Sequence, residues 1–226
     1  MLHGHSWFNE LSRYPELLQA CIVSFSQSGE DIVVNGLLSR ESTKGMVVDL
    51  GAYHPYRFSN TFALYLEGWR GLNVDANPQA VELCRQVRTE DVSVHALLSD
   101  KVEELKYFLF EEGAWNTTDE AAALDLLART PPPTKLMRVD KLFTRQANEL
   151  FAEYVADRKF DFLNIDIEGM DSRVLFSIDF HKYRPRVIAI EFDLDRWKKD
   201  DARLFLSTYG YRVVSVCMHT SILVRD

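Results

Sequence analysis

The sequence has no glycine-rich phosphate loop. Gly51 follows a short apolar run, but Ala52, Tyr53 and His54 come next, where a G-x-G-x-x-G pattern would continue. A pyrophosphate seated on a helix N-terminus needs those glycines, so nicotinamide and flavin dinucleotides are disfavoured. Nor does any stretch approach the roughly 18 apolar residues of a membrane span. The opening MLHGHSWFNELSRYPE lacks a basic start followed by an apolar core, which argues against a secretory leader. Cysteine is scarce: Cys21, Cys84 and Cys217 are odd in number, far apart and without metal spacing, the pattern of reduced core thiols. A net charge of −8 speaks against a broad nucleic-acid footprint, although a local basic patch would survive it. These absences predict a cytoplasmic protein that works neither in a membrane nor along a nucleic acid.

What is present is enough for one full core. With 226 residues, 46% of them hydrophobic, residues 1–226 are expected to fold as one domain. Residues 1–44 are expected to form a helical cover, with helices over Glu10–Ala20 and Glu30–Ser39. Ser28 followed by Asp31 resembles a capping box at the second of these. Met46–Leu50 and Gly71–Val74 have the apolar, β-branched character of buried parallel strands, with a helix over Asn60–Leu66 between them. VSVHALL predicts a third strand, DFLNIDI a fourth and RVIAIEF a fifth, with helices over 78–88, 142–155, 170–176 and 197–208. The last two runs, YRVVSVC and HTSILVRD, suit an antiparallel closing pair. Strand and helix in this alternation predict a doubly wound α/β sheet. Residues 102–139 interrupt the alternation. Two strand-like runs flank a short helix and Pro131–Pro133, so this segment is expected to be an inserted hairpin with a helical tip and to recognise the acceptor.

Two acids mark the ends of the first two strands. Asp49 and Asp75 lie one βαβ unit apart, where open α/β sheets build a nucleotide crevice. Asp75 is placed to take both hydroxyls of a ribose, and Gly51 lets the backbone come close to a ligand. An acid after a strand also caps helices and forms turns, so both readings stand for either acid. A ribose site without a phosphate cradle suits S-adenosylmethionine.

A second acidic group follows the fourth strand. In NIDIEGMD, Asn164, Asp166 and Glu168 alternate with isoleucines and are expected to share one face. Carboxylates beside a cofactor crevice serve general-base work or bind a cation. Asp166, Glu168 and Glu191 are accordingly candidates both for catalysis and for a divalent metal such as magnesium, manganese or calcium. Capping by Glu168 or Asp171, and solvated acids at a rim with Glu191 and Asp193, are the plainer alternatives. His54 follows the first strand and is a reserve base, while its neighbour Pro55 points to a rigid turn. Trp115-Asn116-Thr117 either lines an acceptor pocket by stacking or is an exposed loop tip.

These blocks carry a family resemblance. FSQSGED, VDLGAYHPYRFSNT, GWRGLNVDANP, FLNIDIEGMD and RPRVIAIEFD occur in the order and spacing of FkbM-type methyltransferases, across roughly residues 24–195. The resemblance implies the class I methyltransferase fold, a seven-stranded Rossmann-like sheet whose last pair is antiparallel. It also implies transfer of methyl from S-adenosylmethionine to oxygen, commonly on a sugar. By position, Asp49, Gly51 and Asp75 would contact the cofactor, Gln27 and Glu30 would close over it, and Asp166 and Glu168 would face the acceptor. Asn60, Ala76 and Leu98 complete the candidate cofactor-binding set. Family members often carry histidine where this chain has Met170, so any catalytic role of that side chain is lost. The expected activity is O-methylation of a glycan or glycosylated metabolite. Methylation of another small molecule is one alternative; a non-catalytic module of a larger glycan-building polypeptide is the other.

Overall fold

The structure, a computed structural model, describes residues 14, 16, 20–38, 44–191 and 202–225. Its centre is a seven-stranded sheet. In chain order the contributing strands are β1 (Met46–Leu50), β2 (Arg70–Asp75), β3 (Val92–His95), β7 (Phe162–Ile165), β8 (Val187–Glu191), β9 (Tyr211–Cys217) and β10 (Thr220–Arg225). They lie side by side as β3-β2-β1-β7-β8-β10-β9. The first five are mutually parallel, and β10 runs antiparallel to both β8 and β9. This is the mostly parallel class I methyltransferase sheet with its antiparallel last pair. Strand order reverses between β1 and β7, and ligands of open α/β sheets bind outside the carboxyl ends of the strands at such a switch point.

Alternation along the strands makes two cores. Val48, Leu50, Leu72, Val74, Leu163, Ile165, Ile188 and Ile190 face one side, where they pack with Phe151, Leu175, Phe180 and Leu206. Val47, Phe162, Val187 and Ala189 face the other and meet Val34 and Leu38 of α1 (Glu30–Leu38), Leu64 of α2 (Phe62–Leu66) and Trp69. Successive side chains of a strand point to opposite faces. Asp49 therefore stands on the α1/α2 side of the sheet, directly beside Asn164 on β7.

The N-terminus of α1 is held differently from the expected capping box. Ser26, not Ser28, accepts from the backbone amides of Gly29 and Asp31 through Oγ. Asp31 in turn accepts from Ser24 Oγ, Ser26 Oγ and the Phe25 amide at 2.6–2.7 Å. The polar turn thus folds back over its own helix. Of the expected helix over Glu10–Ala20, only Tyr14, Glu16 and Ala20 lie within the described residues.

Two expected elements are redrawn. The third strand splits: β3 stays in the main sheet, while β4 (Leu97–Leu98) leaves it to pair with β6 (Leu136–Arg145) in a three-stranded sheet β4-β6-β5, with β5 spanning Glu104–Phe110. The helix expected from Leu142 begins only at Ala147. It runs as α5 (Ala147–Leu150) and continues as a π turn over Phe151–Val155. Residues 142–145 are strand because Thr144 is stitched into the sheet. Its amide donates to Glu103 O at 2.9 Å and its hydroxyl to Lys101 O at 2.7 Å. Long-range pairing overrides the local helical period there.

Strands β5 and β6 form the hairpin expected in the insertion, and α4 (Glu120–Ala128) packs on it through Ala123 and Leu126 against Phe108 and Phe110. The remaining helices are α3 (Pro78–Val87), α6 (Asp171–Ser177) and α7 (Ala202–Ser207), the last being the described part of the helix expected over 197–208. Among the described residues no helix is long and apolar enough to cross a membrane.

Candidate active site

A cavity of about 750 Å³ opens at the carboxyl ends of β1, β2, β7 and β8, a volume ordinary for a small-molecule site, roughly 300–1,000 Å³. Every candidate cofactor residue from the sequence lines it: Gln27, Glu30, Asp49, Gly51, Asn60, Asp75, Ala76 and Leu98. So do Asp166, Glu168 and Glu191. His54 does not.

The β1–β2 half is a set of acids held by donors. Asp75 accepts from the Tyr53 amide at 2.7 Å and from the Asn77 amide at 2.7 Å, one on each oxygen. Each oxygen keeps a further lone pair for a ligand. Burial nevertheless pushes its carboxyl up to about 6, against the two amide hydrogen bonds. Asp49 accepts from Thr61 Oγ1 at 2.7 Å and from Asn164 Nδ2 at 2.8 Å. Burial raises its carboxyl too, while Arg88 and these two donors pull it back. Both Asp49 oxygens are thus engaged by the protein, and the residue sits in the cavity floor as a strut between β1 and β7.

Gly51, which lines the cavity, also has a reason within the protein itself. With φ +91°, an added Cβ would lie 1.7 Å from the carbonyl oxygen of Asp166, so the close approach is to the β7 loop. Its amide and that of Ala52 donate to Val74 O at 2.8 and 3.0 Å, which clips the turn onto the end of β2.

The β7–β8 half is a set of acids facing one another. β7 ends at Ile165, so Asp166 and Glu168 belong to the loop beyond it and not to a strand face. Glu168 has φ +49°, a left-handed conformation uncommon for a side-chain-bearing residue. Asp171 turns the loop by accepting from the Ile167 and Gly169 amides at 2.9 and 3.2 Å. Asp171 thus braces the loop and opens α6, whose N-cap position is Met170, without a side-chain cap hydrogen bond. Carboxylate oxygens of Asp166, Glu168 and Glu191 all lie within 4.8 Å of one another. Burial first, then the Glu191, Asp171 and Glu168 charges, drive the Asp166 carboxyl well above the usual range. Asp193, proposed for the same edge, lies outside the described residues.

The insertion supplies a wall that sequence reasoning only glimpsed. Trp115 lines the cavity and is 38% exposed, while Asn116 and Thr117 are buried, so this stretch is no free loop tip. Thr117 Oγ1 donates to Glu168 O at 3.1 Å, and Asn116 Oδ1 accepts from the Phe110 amide at 2.7 Å. Glu112, another insertion residue, pairs with Arg57 at 2.8 Å and accepts from the Tyr53 hydroxyl. The Arg57 guanidinium lies 4.8 Å from the Phe58 ring centroid, within cation–π range. Tyr53, Arg57, Phe58 and Glu112 were not singled out from sequence. The signal available was the density of aromatic residues in YHPYRFSN, directly after the first acidic turn.

His54 serves the turn itself. Its Nδ1 accepts from the Tyr56 and Arg57 amides at 3.3 and 3.1 Å, and desolvation followed by the Arg57 charge lowers its pKa. It is a neutral acceptor within a turn, as its proline neighbour suggested.

No curated protein matches the chain significantly. Among solved structures it is similar to a TehB-like SAM-dependent methyltransferase from Corynebacterium glutamicum, with 13% identity and a TM-score of 0.47 over 96% of this chain and 97% of that one. It is also similar to precorrin-6y C5,15-methyltransferase from Geobacter metallireducens, with 16% identity and a TM-score of 0.43 over 86% and 85%. The family model for the methyltransferase FkbM domain matches residues 49–213, from Asp49 in β1 into β9. The chain therefore belongs to the FkbM methyltransferase family, whose members depend on S-adenosylmethionine.

Proposed function

We propose that this methyltransferase transfers the methyl group to a hydroxyl, of a sugar in a glycan or a glycosylated metabolite. The observation that supports the reading best is the position of Asp166. It shares one cavity with Asp75, at the opposite side of β1, so a carboxylate base and a ribose-binding carboxylate line one space.

The residues present fit the cofactor. Asp75 offers free lone pairs to a ribose, and Ala76, Ala96, Leu97 and Leu98 beside it are apolar surface suited to a nucleobase. No phosphate cradle is needed. When bound, S-adenosylmethionine supplies an activated methyl on a cationic sulfur.

The chain then has two tasks, to align the acceptor oxygen with that methyl and to remove the hydroxyl proton. Asp166 takes the proton. A sugar hydroxyl is a very weak acid and gives up its proton only as the oxygen attacks, so a strong carboxylate base matters. The burial and crowding that raise the Asp166 carboxyl make its carboxylate a stronger proton acceptor. The Glu191, Asp171 and Glu168 charges add to the rise that burial begins. Trp115 and Phe58 at the mouth present aromatic surface for the apolar face of a pyranose. Exposure of a glycan panel to the protein and methyl-labelled cofactor tests the reading. Label and a mass gain of one methylene on a sugar oxygen support it, whereas label appearing only on nitrogen or carbon acceptors overturns it.

A further inference from the structure

Arg88, directly after α3, is 2% exposed, and nothing in the proposed chemistry uses it. It begins a continuous line of hydrogen bonds that ends in the cavity wall. Nε and Nη2 pair with Asp91 at 2.8 Å, and Nη1 donates to Thr61 Oγ1 at 2.8 Å. A guanidinium only donates, so the hydroxyl proton of Thr61 is turned toward Asp49 Oδ2, 2.7 Å away. Asp49 Oδ1 accepts from Asn164 Nδ2 at 2.8 Å, and Asn164 Oδ1 accepts from Asn60 Nδ2 at 2.9 Å. A carboxylate has nothing to donate, so each amide along the line has a single orientation that satisfies its neighbour.

The consequence falls on Asn60. Its amide nitrogen is committed to Asn164, and its Oδ1 is left as an acceptor without a protein donor among the described residues. The residue is 7% exposed and lines the cavity. It bonds to β7, whereas Asp75 ends β2, and β1 lies between those strands. Asn60 and Asp75 are therefore on opposite sides of the switch point. Both line the same cavity, so a ligand whose ribose is on Asp75 can extend its other end toward Asn60. In S-adenosylmethionine that end is an amino acid, whose α-ammonium is a donor with no acceptor capacity.

We propose that Arg88 and Thr61 are positioning residues, which through Asp49 and Asn164 lock Asn60 Oδ1 as the acceptor for the α-ammonium of the cofactor. The inference rests on the reading of this cavity as the S-adenosylmethionine site. It predicts coupling that a merely structural arginine would not produce: a change at Thr61 is felt at the amino-acid end of the ligand and not at the nucleoside end.

Calorimetry with two probes tests it. S-adenosylhomocysteine has the amino-acid end; 5′-methylthioadenosine has the same nucleoside and thioether without it. Thr61→Val keeps the shape and removes the hydroxyl. Affinity for S-adenosylhomocysteine should fall by roughly tenfold, the scale of one charge-assisted hydrogen bond, with affinity for 5′-methylthioadenosine unchanged. Thr61→Ser should restore the wild-type ratio. Asn60→Ala must show the same selective loss, and it carries the test if Thr61→Val does not fold. Equal losses for both probes, or an unchanged ratio in Asn60→Ala, overturn the relay. Wild-type protein that binds neither probe overturns the cofactor reading itself, a result separable from failure of the relay alone.

Discussion

The two halves of the cavity carry acids of the same kind in opposite circumstances. Beside β1 and β2, Asp49 and Asp75 receive four hydrogen bonds from hydroxyl, amide and backbone donors. Beside β7 and β8, Asp166, Glu168 and Glu191 crowd within 4.8 Å. Donors hold a carboxylate in place and leave it ready to accept from a neutral ligand. Like charges raise a carboxyl's pKa and leave it poised for a proton. In the proposed reading, binding belongs to one half and chemistry to the other, as with pairs of carboxyl groups in contrasting environments.

The sharpest test of that division is Asp166→Asn, which keeps the shape and removes the proton acceptor. Turnover should drop by ~10²–10⁴-fold, with S-adenosylhomocysteine affinity nearly intact by calorimetry. Glu168→Gln should be the next most damaging change. If Asp166→Asn weakens cofactor binding as much as turnover, the two halves are not separate.

Asp75→Ala should do the reverse. Loss of a charged partner for the ribose costs about 1.5–3 kcal/mol, so affinity should fall at least about tenfold. Its titration sharpens the point. The native carboxyl sits at about 6 against a usual 3.8, so the folded state holds this proton more tightly than the unfolded chain. The group's contribution to stability is therefore fully present below pH 3.8 and is lost as pH rises through about 6. Cofactor affinity should run the opposite way, level above about pH 6 and falling below it as the acceptor is protonated. In Asp75→Ala that slope should vanish. A wild-type affinity independent of pH from 5 to 8 would remove Asp75 from the ribose.

Chelation asks what answers the crowded charge of the other half. If Asp166 works as a base without a cation, turnover should survive exhaustive chelation. Loss that magnesium, manganese or calcium restores would instead identify a cation held by Asp166, Glu168 and Glu191, hard oxygen ligands that do not favour zinc. Smaller effects belong to the rim. Trp115→Ala should raise the acceptor KM several-fold and leave the cofactor KM unchanged, and His54→Ala should leave turnover within about twofold, since His54 lies outside the cavity.

Much of this was legible in the chain. Strands such as VVDL and FLNI are buried on both faces, and such strands announce themselves as apolar runs regardless of context. Asp49, Asp75, Asp166 and Glu191 stand at or just beyond strand ends, so locating the strands located the acids. The elements that failed were those whose conformation depends on distant partners. Leu142–Arg145 fits a helical period and is strand because Glu103 and Lys101 pair with Thr144. Leu97–Leu98 continues VSVH in sequence, yet it leaves the main sheet for β6. His54 looked placed for chemistry, and in the structure its Nδ1 braces its own turn.

The sequence by itself determined the alternation of strand and helix, hence the doubly wound sheet, and the acids at its carboxyl edge, because periodicity and turn chemistry are local. Only the tertiary structure decided which acids are held by donors and which by one another. Asp49 meets Asn164 and Arg88 meets Thr61 across long stretches of chain, and the insertion brings Trp115 and Glu112 over a crevice built from other strands. A carboxylate's role follows from its neighbours in space, and those are settled by packing.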